Sequence, residues 1–281
     1  FVATGATLTQ GGSANIKVSG SVTSFGTLNN DAGTVTYDGG TELKTDYYYN
    51  LVISSGNTHS LVGTSRVYGT LTVSSGSTLD INNDYIYFYG PADIDGALTI
   101  STGTVDSDNT FDATGGNVTF TGAGLLKLGG VVTSLGTFTK STSTVEYDYA
   151  STSLIDQQDY YNLEIDGNCL TAVSYGTTSV ENELKINSGS KLAVAGALSP
   201  ASVNIDGILS VASAVTVSGN SDIDGTLEAD AITINGTAIA SVLSPVAGHA
   251  SIVTVGALNA GSITSGFGTI DTGSSAITST G

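Results

Sequence analysis

The chain has 281 residues, of which 37 are Gly and only 3 Pro, with no Met or Trp; strong helix formers are scarce while Val, Ile, Thr and Tyr suit pleated surfaces, so an ordinary α/β enzyme is excluded and an all-β chain expected. A formal net charge of −18 repels nucleic acid phosphates and anionic membrane, which removes both as partners. The 11% charged and 40% hydrophobic fractions speak against a disordered acidic tail, no apolar run approaches the roughly 20 residues of a membrane span, and the lone Cys169 has no partner for an intramolecular disulfide.

Read from the N-terminus, the chain soon repeats itself. ATLTQGGSANIKVSGSVTSFGTL at 6–28 returns as GNVTFTGAGLLKLGGVVTSLGTF at 116–138. GTVTYD (33–38) returns as STVEYD (143–148), and YYNLVI (48–53) as YYNLEI (160–165). GTLTVSSGSTLDI (69–81) matches NELKINSGSKLAV (182–194), and DIDGALTI (93–100) matches NIDGILSV (204–211). The offset is about 110 residues and drifts slightly from match to match, as expected where turns tolerate small insertions. Two tandem modules are predicted, 1–115 and 116–228, followed by a divergent Gly/Ser/Thr-rich segment at 229–281 that caps, assembles or continues the fold.

A finer period runs inside the modules. Leu79 and Ile81 recur as Leu98 and Ile100, and Leu184 and Ile186 as Val203 and Ile205. Leu192 and Val194 recur as Leu209 and Val211, and Ile223 follows Ile205 in the same way. Apolar residues two apart belong to strands with one inward face. Three such columns, each returning every about 17–19 residues with Gly, Ser and Asn-rich corners between, predict a parallel β-solenoid whose coils bury their inward pairs against the next.

The tyrosines interrupt this pattern. In DYIYFYG (84–90), Tyr85, Tyr87 and Tyr89 share one face and Ile86 and Phe88 the other, so both faces avoid water and the outer one needs a cover. Tyr48, Tyr49, Tyr160 and Tyr161 are read the same way. The cover is a loop of the same chain, a subunit interface, or a glycan stacked on the rings. These seven tyrosines are the candidate interface or glycan-stacking residues.

Candidate chemistry is sparse. Asp93 with Asp95, Glu181 with Glu183, and Asp222 with Asp224 are carboxylate pairs on alternate positions, too close to straddle a sugar as a glycosidase requires. His59 and His249 are remote in sequence from each other and from Cys169, so no zinc constellation is expected. Asp106, Asp108 and Asp112 could supply several oxygens to a weakly bound calcium ion, but the spacing lacks the Gly and terminal Glu of a calcium loop. No nucleophile elbow or phosphate-binding loop occurs, and no catalytic, cofactor or metal residue is assigned.

Two resemblances bear on function. ITINGTAI together with VGALNAGSITSGFGTIDTGSSAIT, in the C-terminal segment, resembles repeats of tail fibres and other appendages of tailed bacteriophages. STVEYD, DYYNLEIDG and ELKINSGSKLAV, within the repeated part at 6–228, are similar to modules of large secreted bacterial adhesins. Together they imply a non-enzymatic structural protein on a virion or at the cell surface. A virus tail fibre is the first expectation, an adhesin or filament subunit the second, and a polysaccharide-degrading tailspike the third. The expected partners are copies of itself, as a homotrimer or filament, and a cell-surface glycan or receptor.

Overall fold

A computed structural model of the chain describes residues 5–166, 169, 171–174, 177–194, 197–205 and 208–211, with 233–234, 237–238, 273–274 and 276 beyond them. No described residue is helical. Leu71–Val73, Thr78–Asp80 and Tyr85–Phe88 are the three strands of one coil, and Ala92–Ile94, Ala97–Ile100 and Thr104–Ser107 repeat them in the next. Leu71 lies opposite Ala92, Leu79 opposite Leu98 and Ile86 opposite Val105, all in parallel register. From Thr34–Tyr37 to Thr144–Tyr147 the chain is therefore a three-sided parallel β-solenoid, and the described coils beyond it alternate between the third sheet and a fourth. Its first, second and third sheets hold seven, six and nine strands, and a four-stranded sheet begins at Thr152–Ile155.

The inward columns account for the stacking. Val35, Leu51, Leu71, Ala92 and Phe111 face one another in successive coils of the first sheet and are essentially inaccessible. Each fully buried aliphatic or aromatic side chain contributes about 1.5–3 kcal/mol relative to exposure. His59 is a buried polar member of the second sheet's inward column, standing next to Leu79. One ring nitrogen, Nε2, lies 3.1 Å from the Gly39 carbonyl oxygen, and the ring edge packs on Tyr37. Corners are made by short polar turns such as Ser74–Ser77, where the Ser77 amide donates to the Ser74 carbonyl and Gly76 adopts φ 79°.

Coil length varies more than the sequence columns suggest. The coil that carries Val35 to its neighbour Leu51 is clearly shorter than the one that carries Leu71 to Ala92. Corners absorb the difference, so inward faces stay in register while loops change length.

The two modules form one uninterrupted ladder, because Ala97–Ile100 pairs directly with Asn117–Phe120 across the boundary. They are also rotated. Thr34–Tyr37 lies in the first sheet, but its counterpart Thr144–Tyr147 lies in the third. Five coils take the first sheet from Thr34–Tyr37 to Val132–Ser134, and the chain then advances two faces more. A module thus amounts to five and two-thirds coils, and its second copy shows each motif on a different side.

By its contacts the chain divides into two compact units, Phe1–Thr216 and Val217–Gly281. In the second unit, Thr233–Ile234 pairs antiparallel with Thr237–Ala238. The predicted inward position Ile223, the carboxylates Asp222 and Asp224, and His249 lie outside the described residues.

Candidate functional site

The duplicated Tyr-Tyr-Asn-Leu motif is a piece of internal construction. Tyr48 and Tyr160 are fully buried, so the expectation that they face outward is corrected. The Tyr48 hydroxyl lies 3.1 Å from that of Tyr37, and the Tyr160 hydroxyl 3.1 Å from that of Tyr147. Each pair reaches across the strand between its two members and satisfies the backbone where that strand ends. The Lys44 amide donates to the Tyr37 oxygen and the Tyr48 hydroxyl to the Lys44 carbonyl. In the second copy the Asp156 amide donates to Tyr147 and Tyr160 donates to the Asp156 carbonyl at 2.7 Å. Burial pushes the Tyr37 phenol up to about 12 and raises Tyr48, Tyr147 and Tyr160 as well.

The Asn of the motif clamps neighbouring coils. Asn50 donates to Thr34 Oγ1 and Asn162 to Thr144 Oγ1. Asn50 Oδ1 also accepts from the Thr70 amide, and Asn162 Oδ1 accepts from Asn182. Leu51 and Leu163 complete the motif in the core. Tyr49 is exposed at a corner, whereas Tyr161 is half-buried within the strand Asp159–Ile165 of the third sheet.

The outer side of the third sheet gathers the candidates Tyr85, Tyr87 and Tyr89 together with Tyr47 and Tyr68. Ile86 and Phe88 are buried, while Tyr85 and Tyr87 are partly exposed and Tyr89 exposed, as the alternation predicts. Tyr85 and Tyr87 stack at 4.2 Å, and Tyr87 and Tyr89 lie parallel at 6.1 Å. Tyr89 stacks in turn on Tyr68 at 5.1 Å, and Tyr68 leans on Tyr47 at 6.4 Å. The Arg66 guanidinium sits 4.8 Å from the Tyr87 ring centre and 5.4 Å from that of Tyr47. Tyr85 donates to Asp106 at 2.9 Å, and burial, Tyr87 and Asp106 together raise its phenol. Tyr47 and Tyr68 are about half exposed. The result is a pre-stacked aromatic patch holding one cation, presenting rings and hydroxyls to solvent.

Sequence reasoning missed Tyr47, Tyr68 and Arg66. The signal was the equal spacing of Tyr47, Tyr68 and Tyr89, which is longer than the period read from the apolar columns.

Farther along the same outer column, Tyr87 is followed coil by coil by Asp106, Lys127, Glu146, Glu164 and Lys185. Lys127 pairs with Glu146 at 3.1 Å and Asp148 at 3.4 Å. Burial works against the Lys127 charge, but Glu146, Asp148 and Asp106 outweigh it and raise the ammonium. Burial raises Glu146 and Asp148 despite Lys127.

The other candidate acids are dispersed. Asp106 lies in the third sheet and Asp112 in the first, with Asp108 at the corner between, so the trio does not gather around one point. Among the described residues no three His, Cys, Asp or Glu side chains are placed to hold a metal. Asp93 is exposed and faces Asp112 of the next coil; burial and the charges of Asp95 and Asp112 raise it. Glu181 forms an ion pair with Lys140 at 3.1 Å. Cys169 is buried. A cleft of about 440 Å³ opens at the N-terminal rim, lined by Leu8, Ile16, Val18, Val22 and Phe25 among others. Lys17, Ser19, Gly20 and Ser21 complete the lining, which has no pair of carboxylates.

No family model, curated protein or solved structure matches the chain.

Proposed function

We propose that this chain is a non-enzymatic shaft of an extracellular appendage, in the first place a tail fibre or spike of a bacterial virus, which carries a contact surface toward a host. The observation that carries the reading is the outer patch of Tyr47, Tyr68, Tyr85, Tyr87, Tyr89 and Arg66 on a stacked parallel ladder. Tyr and Arg offer large contact area for little lost rotamer freedom, and they dominate binding energy at recognition surfaces. A ladder of buried columns beneath keeps the rings in place without help from the ligand. The partner class is a bacterial surface glycan, met by ring faces and phenol hydroxyls together. An acidic exterior keeps such shafts soluble and apart from nucleic acid.

A secreted bacterial adhesin is the second reading. It is favoured by the closure of the core within one chain, since the inward columns from Val35 to Leu192 are buried by this chain alone. On either reading, association joins finished solenoids.

The test is retention of the purified chain on a panel of immobilised bacterial surface polysaccharides. Binding is expected, and Tyr68→Ala with Tyr89→Ala should weaken it by roughly tenfold or more. The chain length of the bound polysaccharide should stay constant; shortening would overturn the non-enzymatic reading. Retention that ignores both substitutions would remove the patch from the account. Solution mass then separates the settings, a trimer favouring the virus fibre and a monomer the adhesin.

A further inference from the structure

We propose that the aromatic patch takes acidic sugars, with the Arg66 guanidinium receiving the carboxylate of a uronic acid while the tyrosines hold the sugar ring. The proposal rests on the glycan reading above and adds its ligand class. Arg66 is the only Arg of the chain. In the outward column of the third sheet it stands opposite Tyr47 in one neighbouring coil and Tyr87 in the other. Its guanidinium lies over both rings.

What sets Arg66 apart is the lack of a carboxylate partner in a chain that has 25 acidic residues for 7 cationic ones. Lys17, Lys44, Lys127, Lys140 and Lys185 each form an ion pair with Asp or Glu. Among the described residues Arg66 pairs with none. Lys191, the other cation without an ion pair, is exposed on a strand of the fourth sheet.

The tyrosines do not use up the cation. Ring faces meet its π system and engage none of the five N–H donors of a guanidinium. Arg66 donates one of these to the Tyr89 hydroxyl, and the rest have no acceptor among the described residues. The acids hydrogen-bonded to patch tyrosines are already engaged: Asp46 accepts from the Tyr47 amide at 2.8 Å and Asp106 from the Tyr85 hydroxyl at 2.9 Å. A stacked, weakly hydrated guanidinium with spare parallel donors suits a planar carboxylate, which it grips through two bonds at once. In a uronic acid the carboxyl carbon is attached to the sugar ring. A ring lying against Tyr68 and Tyr89 therefore brings its acid to the cation that Tyr89 holds. A net charge of −18 repels a polyanion at long range. At about 0.15 M salt that field fades within ~8 Å, and the charges at the patch decide the contact.

The test measures retention of the full chain, in about 0.15 M salt, on immobilised polygalacturonate, alginate and hyaluronate, each beside the same polymer with its carboxyl groups reduced to alcohols. At least one native polymer should hold the chain about tenfold more tightly than its reduced form. Arg66→Gln should abolish that difference. Arg66→Lys should restore only part of it, because an ammonium keeps the charge but not the fork. The residual hold on the reduced polymer should be equal for the parent and Arg66→Gln, which a misfolded patch would not give. A preference that survives Arg66→Gln, or reduced forms held as firmly as native ones, would overturn the proposal. Retention confined to neutral polymers and lost with Tyr68→Ala and Tyr89→Ala would also overturn it, while leaving the glycan surface standing. No retention on any polymer, acidic or neutral, would remove both.

Discussion

Tyr48 and Tyr160 hold two corners of the solenoid by donating to the carbonyls of Lys44 and Asp156. Tyr160→Phe leaves the Asp156 carbonyl and the Tyr147 hydroxyl short of a partner, and should lower stability by about 1–3 kcal/mol in urea unfolding. Glycan retention should be untouched, because the hydroxyl never reaches the surface. The pairs also set the alkaline limit. A buried phenol raised above its ordinary value of 10.0 stays protonated in the fold while the unfolded chain ionises first. Stability is therefore full below pH 10 and falls as pH rises toward 12 and beyond; Tyr37→Phe should flatten that fall in thermal melts across the range. Gly90 shows the same tightness between backbones: a Cβ there would lie 2.0 Å from the Gly69 carbonyl oxygen. Gly90→Ala must push adjacent coils apart, and a loss of about 1–3 kcal/mol in the same assay is expected.

At the level of strands and corners, the outer ion-pair column has a definite sign. Lys127 offsets Glu146 and Asp148, two carboxylates that burial already disfavours. Lys127→Ala should cost about 1–3 kcal/mol at pH 7, with partial exposure keeping the figure below that of a deeply buried pair. The deficit should shrink as pH falls through the range in which these raised carboxylates take up protons, which urea titrations at several pH values would read. Sequence was a good guide where strands are regular. Period-two alternation placed Ile86 and Phe88 inward and Tyr85, Tyr87 and Tyr89 outward, because each strand has one face on the core. It misplaced Tyr48, because a corner resets the alternation: Tyr47–Tyr48 ends a strand of the third sheet and Asn50–Ile53 begins one of the first. The Tyr37–Tyr48 bond was equally hidden, as it joins a strand of the first sheet to one of the third, with Glu42–Lys44 of the second sheet between them, rather than running along a column. The aromatic patch was half legible, since Tyr47 and Tyr68 join it only through coils longer than the apolar period.

For the whole solenoid, the repeat was readable but its geometry was not. The offset between the two modules carries no record of how many faces it spans, and five and two-thirds coils turn each motif to a new side. The aromatic patch, which rests on Tyr47, Tyr68 and the tyrosines of 85–89, has no duplicate in the second module, whose matching positions carry no tyrosine. The aromatic patch is local, while the ladder that supports it continues through Ala197–Ile205 of the third sheet. The most direct test of this account is electron cryo-microscopy of the purified chain at a resolution that separates strands. One polypeptide should form each three-sided cross-section, with the core closed by Val35, Leu51, Leu71 and their neighbours from that same chain. A cross-section in which three chains each contribute one side would contradict it.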